Sequence, residues 1–322
     1  MSNVEIGPWE PGDEESICRL FERTFGRPRD VAQWRWQFLG AGLEPPVMVA
    51  RDDAGQVVAH FGGVPCRAWL DGRERVFTVA VDSMVAPERR AGLKRRGLFA
   101  TVVERWVDHF CERGPVEVGY GLANPEALRI GGRLCGYEPV GVDALVARAL
   151  TAEDDGDDAA TLERAERPFE DHDDLWRRFT NRGVAAACRD ARFMAWRFVD
   201  NPSGYAFLGV RRRGVLAAAG VFKEEYVADD SATLVDLLWD GVDARDLTAC
   251  VRGAERLAID RGRRYLAALV PRGSREAYEL DRLGYRPVKF GLTMVARSFR
   301  PAVDLGWLLP RFFFTAADYD LV

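Results

Sequence analysis

The stretch that decides the fold is Met84–Trp106, MVAPERRAGLKRRGLFATVVERW. Five of the eight residues from Arg89 to Arg96 are basic, and Gly92 and Gly97 punctuate the run, in a chain whose formal net charge is −5. Upstream, TVAVDSMVAP reads as an apolar strand with one inserted aspartate, Asp82. Downstream, Phe99, Val102, Val103, Trp106, Val107 and Phe110 recur at helical spacing, so a helix is expected to begin near Leu98. The first turn of a helix offers unpaired backbone N–H groups and a partial positive charge. Gly97 permits a tight turn and close approach of a ligand to the backbone. Lys94, Arg95 and Arg96 add charge-assisted donors, and the combination forms an anion cradle suited to a pyrophosphate. A solvated basic loop is the competing reading of the same residues.

Working outward, the two halves of the chain repeat each other. AQWRWQFLGAGLEPPVMVARDDAGQVVAHFGG in the first half and FMAWRFVDNPSGYAFLGVRRRGVLAAAGVF in the second each carry a Trp-Arg-aromatic helix end. In each, a Pro/Gly break follows, then two apolar runs flank a turn, Asp52–Gly55 and Arg211–Gly214, the pattern of a hairpin. ATLVDLLWDG then matches TVAVDSMVAP, with Asp236 at the place of Asp82. A helical pattern follows in both, then a short apolar strand (VEVGYGL and RYLAALV), a shorter helix and a Gly-Tyr close. A shared order of helix, hairpin, strand, helix, strand, helix, strand indicates duplication. The acidic stretch TAEDDGDDAATLERAERPFEDHDD separates the halves. We therefore expect an N-terminal domain over residues 1–150, a linker over 151–174 with a helix near its end, and a C-terminal domain over 175–322. An acidic surface loop within one domain is the plainer alternative.

With 322 residues, 48% apolar and 30% charged, the chain is globular and large enough for two domains. No window approaches about 18 uncharged apolar residues, and the amino terminus lacks a basic region followed by an apolar core. A cytoplasmic protein without membrane association is expected. The six cysteines are scattered without a Cys-x-x-Cys pair and read as buried thiols in a reducing compartment. Three histidines, at 60, 109 and 172, leave little material for a metal site or a Ser-His-Asp triad, so no metal is expected. The acidic balance disfavours nucleic acid and favours cationic small molecules.

MVAPERRAGLKRRGLF resembles the acetyl-CoA-binding signature of the GCN5-related N-acetyltransferase (GNAT) superfamily: a strand ending Val-x-Pro, an Arg/Gln-x-x-Gly-x-Gly/Ala loop, then a helix. GLANPEALRIGGRLCGYEPVG resembles the family's next segment, a strand, an Asn, a helix and Gly-Phe or Gly-Tyr. The whole chain is similar to tandem-GNAT proteins, some of which also finish with an aromatic segment and Asp-x-Asp, as in FFFTAADYDLV. The resemblance implies an α/β (α+β) fold of two tandem GNAT-like domains, each a mixed, mostly antiparallel sheet flanked by helices, the second degenerate. It also implies acetyl-CoA or another acyl-CoA as co-substrate. Pantetheine would pair with the backbone of Met84, Val85 and Ala86, where the strands of the sheet splay, with the Val85 N–H polarising the thioester carbonyl. Arg95, Arg96, Gly97, Leu98 and Phe99, beside Lys94, would hold the pyrophosphate. Asn124 matches an Asn that commonly faces the cofactor; a turn residue ahead of Pro125 is its other reading. About four extra residues, near RAGL, leave two registers for the loop, Arg89-x-x-Gly92 and Lys94-x-x-Gly97, and the second is preferred because Gly97 directly precedes the helix.

In the second half the matching stretch, LLWDGVDARDL, places Asp240, Asp243 and Asp246 where basic residues would be needed. Carboxylates at a helix start cap its amides and repel a pyrophosphate, so one cofactor is expected per chain, in the first half. Acyl transfer to an amine needs a neutral nitrogen and often an acid for the leaving thiolate. Asp82 is the candidate base, although Asp236, at the same place in a half without a cofactor loop, favours a structural role. The family's acid position, four residues before the Gly of the Gly-Tyr close, is Gly132, which leaves Tyr120 as a substitute or an ordinary strand tyrosine. His60 could line the pocket or sit in the core. Asp318, Asp320 and the Val322 carboxylate could reach a cleft if the tail folds back. The expected activity is acyl-CoA-dependent N-acylation of a small cationic amine, by a monomer or homodimer. The rival readings are a non-catalytic acyl-CoA-binding or scaffold protein, and an acyltransferase with an oxygen or carrier-bound acceptor.

Overall fold

The computed structural model of the chain describes residues 4–90, 97–140, 145–151, 162–225, 228–289 and 291–319. The strands, in chain order, are β1 (Val4–Pro8), β2 (Val47–Asp52), β3 (Val57–Leu70), β4 (Arg73–Val85), β5 (Val116–Ala123), β6 (Glu138–Pro139), β7 (Leu145–Ala149) and β8 (Leu162–Ala165). They continue with β9 (Ala185–Ala187), β10 (Ala206–Arg212), β11 (Val215–Glu224), β12 (Ser231–Trp239), β13 (Tyr265–Leu269), β14 (Arg286–Pro287), β15 (Thr293–Ser298) and β16 (Phe312–Phe313). The helices are α1 (Glu14–Phe25), α2 (Val31–Leu39), α3 (Leu98–Trp106), α4 (Pro125–Ile130), α5 (His172–Thr180), α6 (Ala191–Met194), α7 (Ala244–Asp260), α8 (Arg275–Arg282) and α9 (Leu305–Leu308). Two mostly antiparallel sheets flanked by helices make up the fold.

The chain divides into two compact units that are not consecutive in sequence. The first holds residues 1–68, 74–141 and 291–307, and the second holds 69–73, 142–290 and 308–322. This corrects the expected partition of 1–150 and 175–322. β7 pairs with β13 of the second unit, and β15 pairs antiparallel with β5 of the first, Thr293 opposite Ala123. Each half thus gives its last long strand to the other's sheet. The expected linker also contributes structure: β8 is an edge strand on β10, and α5 begins at His172.

In the first unit the strand order is β1-β2-β3-β4-β5-β15-β6. β3 and β4 form a long hairpin whose turn residues, Asp71 and Gly72, both have positive φ, as a two-residue hairpin of this handedness requires. α3 lies on this sheet through its aromatic face. Phe61 of β3 meets Phe99 edge-on at 5.8 Å and Trp106 at 5.1 Å, and the Trp106 indole donates to the Pro46 carbonyl at 2.6 Å. Those contacts hold the start of α3 over the end of β3 and bury a ring whose removal costs about 3–5 kcal/mol.

In the second unit the order is β14-β7-β13-β12-β11-β10-β8. α7 buries Leu247, Cys250, Val251, Ala254 and Leu257 against Leu208, Leu234 and Trp239 of the sheet. Both units share one irregularity. The parallel ladder between β4 and β5 ends at Val79 opposite Tyr120, though β4 runs on to Val85 and β5 to Ala123. The ladder between β12 and β13 ends at Leu234 opposite Ala268, while β12 runs on to Trp239. Asp82 and Asp236 sit just beyond these points.

Candidate active site

The opening between β4 and β5 in the first unit is lined by backbone. Ala86 donates its N–H to the Val58 carbonyl of β3 at 2.9 Å. Successive residues of a strand point their backbone groups to opposite edges, so Val85 presents its N–H and C=O to the opening. Its carbonyl accepts Arg90 Nε at 3.0 Å. Met84 and Ala86 are buried on the β3 side. Of the three residues expected to meet pantetheine, Val85 is therefore the one whose backbone faces the gap.

Asp82 lies in β4 three residues past the last β4–β5 pair. Its φ is +52°, the left-handed region that costs a non-glycine residue on the order of 1 kcal/mol and persists only where neighbours impose it. Two neighbours do so. His60 Nδ1 donates to the Asp82 carbonyl at 2.7 Å, and Arg29 pairs with the Asp82 carboxylate. Because the carbonyl can only accept, the proton of His60 resides on Nδ1. Burial holds the imidazole below its ordinary value, and among the described residues Nε2 has no hydrogen-bond partner. His60 therefore sits in the core beside Phe38, ring centres 6.0 Å apart, and acts on Asp82 from behind.

α3 begins as expected. Gly97 is its N-cap with extended backbone (φ −98°, ψ 178°), and among the described residues no side-chain cap is made there. The first-turn amides at Leu98, Phe99 and Ala100 are the groups that such a helix start offers to a ligand. Lys94, Arg95 and Arg96 lie outside the described residues. Arg23 holds Glu88 through two contacts of 2.9 Å, which fixes the segment after β4.

The remaining candidates are placed as follows. The Asn124 Oδ1 accepts the Ala127 N–H at 2.8 Å as the N-cap of α4. Tyr120 is 1% exposed, with its hydroxyl 3.6 Å from Cys66 Sγ. Asp318 does not reach a cleft: its carboxylate is fully buried on Arg189 and it closes a capping box with Thr315. Asp320 and Val322 lie outside the described residues. The six cysteines are buried, and burial pushes the Cys111, Cys135 and Cys250 thiols up to about 12, so they are not nucleophiles. An open groove of 730 Å³ lies along β15, but its arginines are already engaged: Arg297 with the Cys135 carbonyl at 2.5 Å, and Arg300 with the Gly114 carbonyl at 2.5 Å.

In the second unit the matching helix start is filled by its own side chain. Asp243 accepts the Arg245 N–H at 3.0 Å as the N-cap of α7, and Arg245 holds its carboxyl down to about 2. Arg212 bridges Asp240, at 2.5 Å, and Asp246. Arg29, the buried partner of Asp82, is not among the residues expected from the sequence. The signal was present: Arg29-Asp30 precedes α2 as Arg189-Asp190 precedes α6.

No protein-family model matches the sequence, and no curated protein matches it either. Solved structures do. The chain is similar to a probable N-acyltransferase from Enterococcus faecalis V583, with 11% identity and a TM-score of 0.66 over 93% of this chain and 73% of that one. A GCN5-related N-acetyltransferase from Anabaena variabilis matches with 12% identity and a TM-score of 0.66, over 92% and 73%. Saccharomyces cerevisiae N-myristoyltransferase with bound myristoyl-CoA matches with 14% identity and a TM-score of 0.56, over 92% and 83%. The fold of this chain is that of the GCN5-related N-acetyltransferases.

Proposed function

We propose that the chain is an acyl-CoA-dependent N-acyltransferase, using acetyl-CoA, that modifies an amine of a small molecule by direct attack in a ternary complex. The observation that carries this reading is one opening with two features: β4 and β5 part after Val79 and Tyr120, which turns the Val85 N–H to the gap, and α3 starts at Gly97, an N-cap with no capping side chain of its own. The free strand edge suits the amides of pantetheine, paired as an added strand would be. The α3 amides suit the diphosphate. The fold shared with acyl-CoA-using enzymes is consistent with both.

The residues divide the work. The Val85 N–H stabilises charge that develops on the thioester oxygen, a preorganised donor of the kind worth about 3–4 kcal/mol when removed. The amine nitrogen bonds to the acyl carbon, the C–S bond breaks, and the proton that the nitrogen loses passes to the departing thiolate or to solvent as CoA leaves. No side chain that could protonate the thiolate stands free among the described candidates, so the reaction runs without a dedicated acid and the amine enters neutral. Asp82 keeps β4 bent and holds charge near the acceptor. The net acidity of the chain favours a cationic amine. In the second unit Asp243 fills the helix start, which supports one cofactor per chain.

The test is incubation with acetyl-CoA and longer acyl-CoAs against an amine panel, with products read by mass spectrometry. An N-acylated product supports the reading. CoA binding without any product favours the rival, a non-catalytic acyl-CoA-binding protein, for which Gly132 at the family's tyrosine position and the buried Tyr120 hydroxyl are the favouring features.

A further inference from the structure

Among its 45 basic residues the chain has three lysines, Lys94, Lys223 and Lys289. Arginine stays charged at any working pH, so these three carry the side-chain amines that can become nucleophiles. Lys94 lies outside the described residues, and Lys289 is exposed. Lys223 is placed differently from Lys289. It stands in β11, a strand between β10 and β12, with Thr233 directly opposite. It is half-buried rather than enclosed, so a reagent in solution can reach it.

Two side chains set the surroundings of its amine. The first is Tyr205, whose ring centre lies 5.2 Å from Lys223 Nζ and is backed by Phe198 at 5.1 Å. The Tyr205 hydroxyl accepts Asn201 Nδ2 at 3.2 Å, and burial pushes it up to about 12, so at neutral pH the ring carries no charge. The second is Arg197, which is buried. Its Nε donates to the Ala317 carbonyl at 2.9 Å and its Nη2 to the Tyr319 carbonyl. A guanidinium tied to two carbonyls cannot swing away, so Lys223 faces a fixed cation.

A side chain partly withdrawn from water and set beside a like charge favours its neutral form. Burial first, and Arg197 second, hold the Lys223 amine below its ordinary value. The Tyr205 face works the other way, since an aromatic quadrupole attracts the ammonium. A lysine desolvated or placed next to another cation is an activated nucleophile.

We propose that Lys223 is a modification site, acylated at Nζ by acyl-CoA or another acyl thioester taken directly from solution. The amine nitrogen bonds to the thioester carbon, the C–S bond breaks, and the proton that the nitrogen loses passes to the departing thiolate. The products are an amide at Lys223 and a free thiol. Acylation removes the positive charge beside Arg197 and leaves the apolar stem in place. No group of the β4–β5 opening takes part, so the site goes beyond the acyl-transfer reading and does not rest on it.

The experiment is incubation of the full chain with acetyl-CoA, and separately with S-acetylcysteamine blocked at its amine, followed by peptide mapping in a mass spectrometer. Near neutral pH, Lys223 is expected to gain the acetyl group severalfold faster than Lys289 with either reagent. That ratio should fall as the pH approaches about 10.4, because high pH deprotonates lysines generally. Arg197→Gln removes the fixed cation and is expected to slow Lys223 and move its pH profile upward, which a merely structural role would not do. If Arg197→Gln does not fold, Tyr205→Leu decides: it keeps an apolar wall, loses the ring face, and is expected to speed Lys223 and move the profile down. The proposal is overturned if Lys223 reacts no faster than Lys289 near neutral pH, or if the folded variant leaves the profile unmoved. Gly97→Asp should leave the labelling of Lys223 unchanged, and loss of that labelling would overturn the direct route. Label at Lys223 without any product from the amine panel leaves this site standing and ends the acyltransferase reading. Products from the panel without label at Lys223 do the reverse.

Discussion

Replacing Gly97 with aspartate should separate helix stability from cofactor binding, because the two move in opposite directions. The N-cap backbone at Gly97, φ −98° and ψ 178°, is open to any residue, so the substitution adds no strain. The new carboxylate would cap α3 as Asp243 caps α7, which relative to glycine is worth a few tenths of a kcal/mol. The melting temperature is therefore expected to hold or rise slightly. The same carboxylate would stand where the diphosphate is proposed to lie. Like charges about 5 Å apart at an effective dielectric near 20 repel by about 3 kcal/mol, a loss of about a hundredfold in acyl-CoA affinity. Calorimetric titration with acetyl-CoA reads the affinity, and scanning calorimetry reads the fold. Unchanged affinity in a folded Gly97→Asp protein would show that the diphosphate does not sit on α3. Loss of stability would show that the helix start is not open in the manner described.

Three other substitutions or conditions have expected outcomes. Trp106→Ala removes the ring between Phe61 and the Pro46 carbonyl and should cost about 3–5 kcal/mol in urea unfolding; Trp106→Phe keeps most of the ring and leaves the carbonyl its Gly63 N–H at 3.1 Å, for about 0.5–1.5 kcal/mol. Asp318→Asn leaves buried Arg189 with Asp236 alone, 3.5 Å from its Nε, and should cost about 1–3 kcal/mol, whereas the double change with Arg189→Met should differ from the sum of the two singles; additivity would contradict the pairing. Burial holds His60 and His172 below their ordinary values, so the unfolded chain binds more protons as pH falls through about 6.5, and stability should be full above that pH and decline below it by up to about 1.4 kcal/mol per pH unit per histidine. Denaturation midpoints between about pH 5 and 8 measure that slope, and His60→Asn should reduce it.

Local signals were legible and long-range pairings were not. Gly97 before a 3.6-residue apolar period marked the start of α3, and the turns at Asp52–Gly55 and Arg211–Gly214 marked both hairpins, because each depends on neighbours in sequence. The capping carboxylate of α7 was legible for the same reason. The exchange of β7 and β15 was not, since Thr293 pairs with Ala123 across a separation that no local pattern encodes and either apolar run would fit either sheet. Asp82 was legible as an anomaly within a strand, but its partner Arg29 lies 53 residues earlier in a polar loop, where one arginine looks like its neighbours Arg27 and Arg23. The twin Arg-Asp pairs ahead of the two aromatic helices were the available clue. Asn124 carried two readings because one amide serves equally as helix cap and ligand contact, and the geometry shows its Oδ1 in the cap.

The central claim is tested most directly by a crystal structure of the full chain with acetyl-CoA. The account predicts one cofactor per chain, with its diphosphate on the amides of Leu98, Phe99 and Ala100 and its thioester oxygen within hydrogen-bond reach of the Val85 N–H. A cofactor seated at the Asp243 end of α7, in the groove along β15, or nowhere on the chain would contradict it.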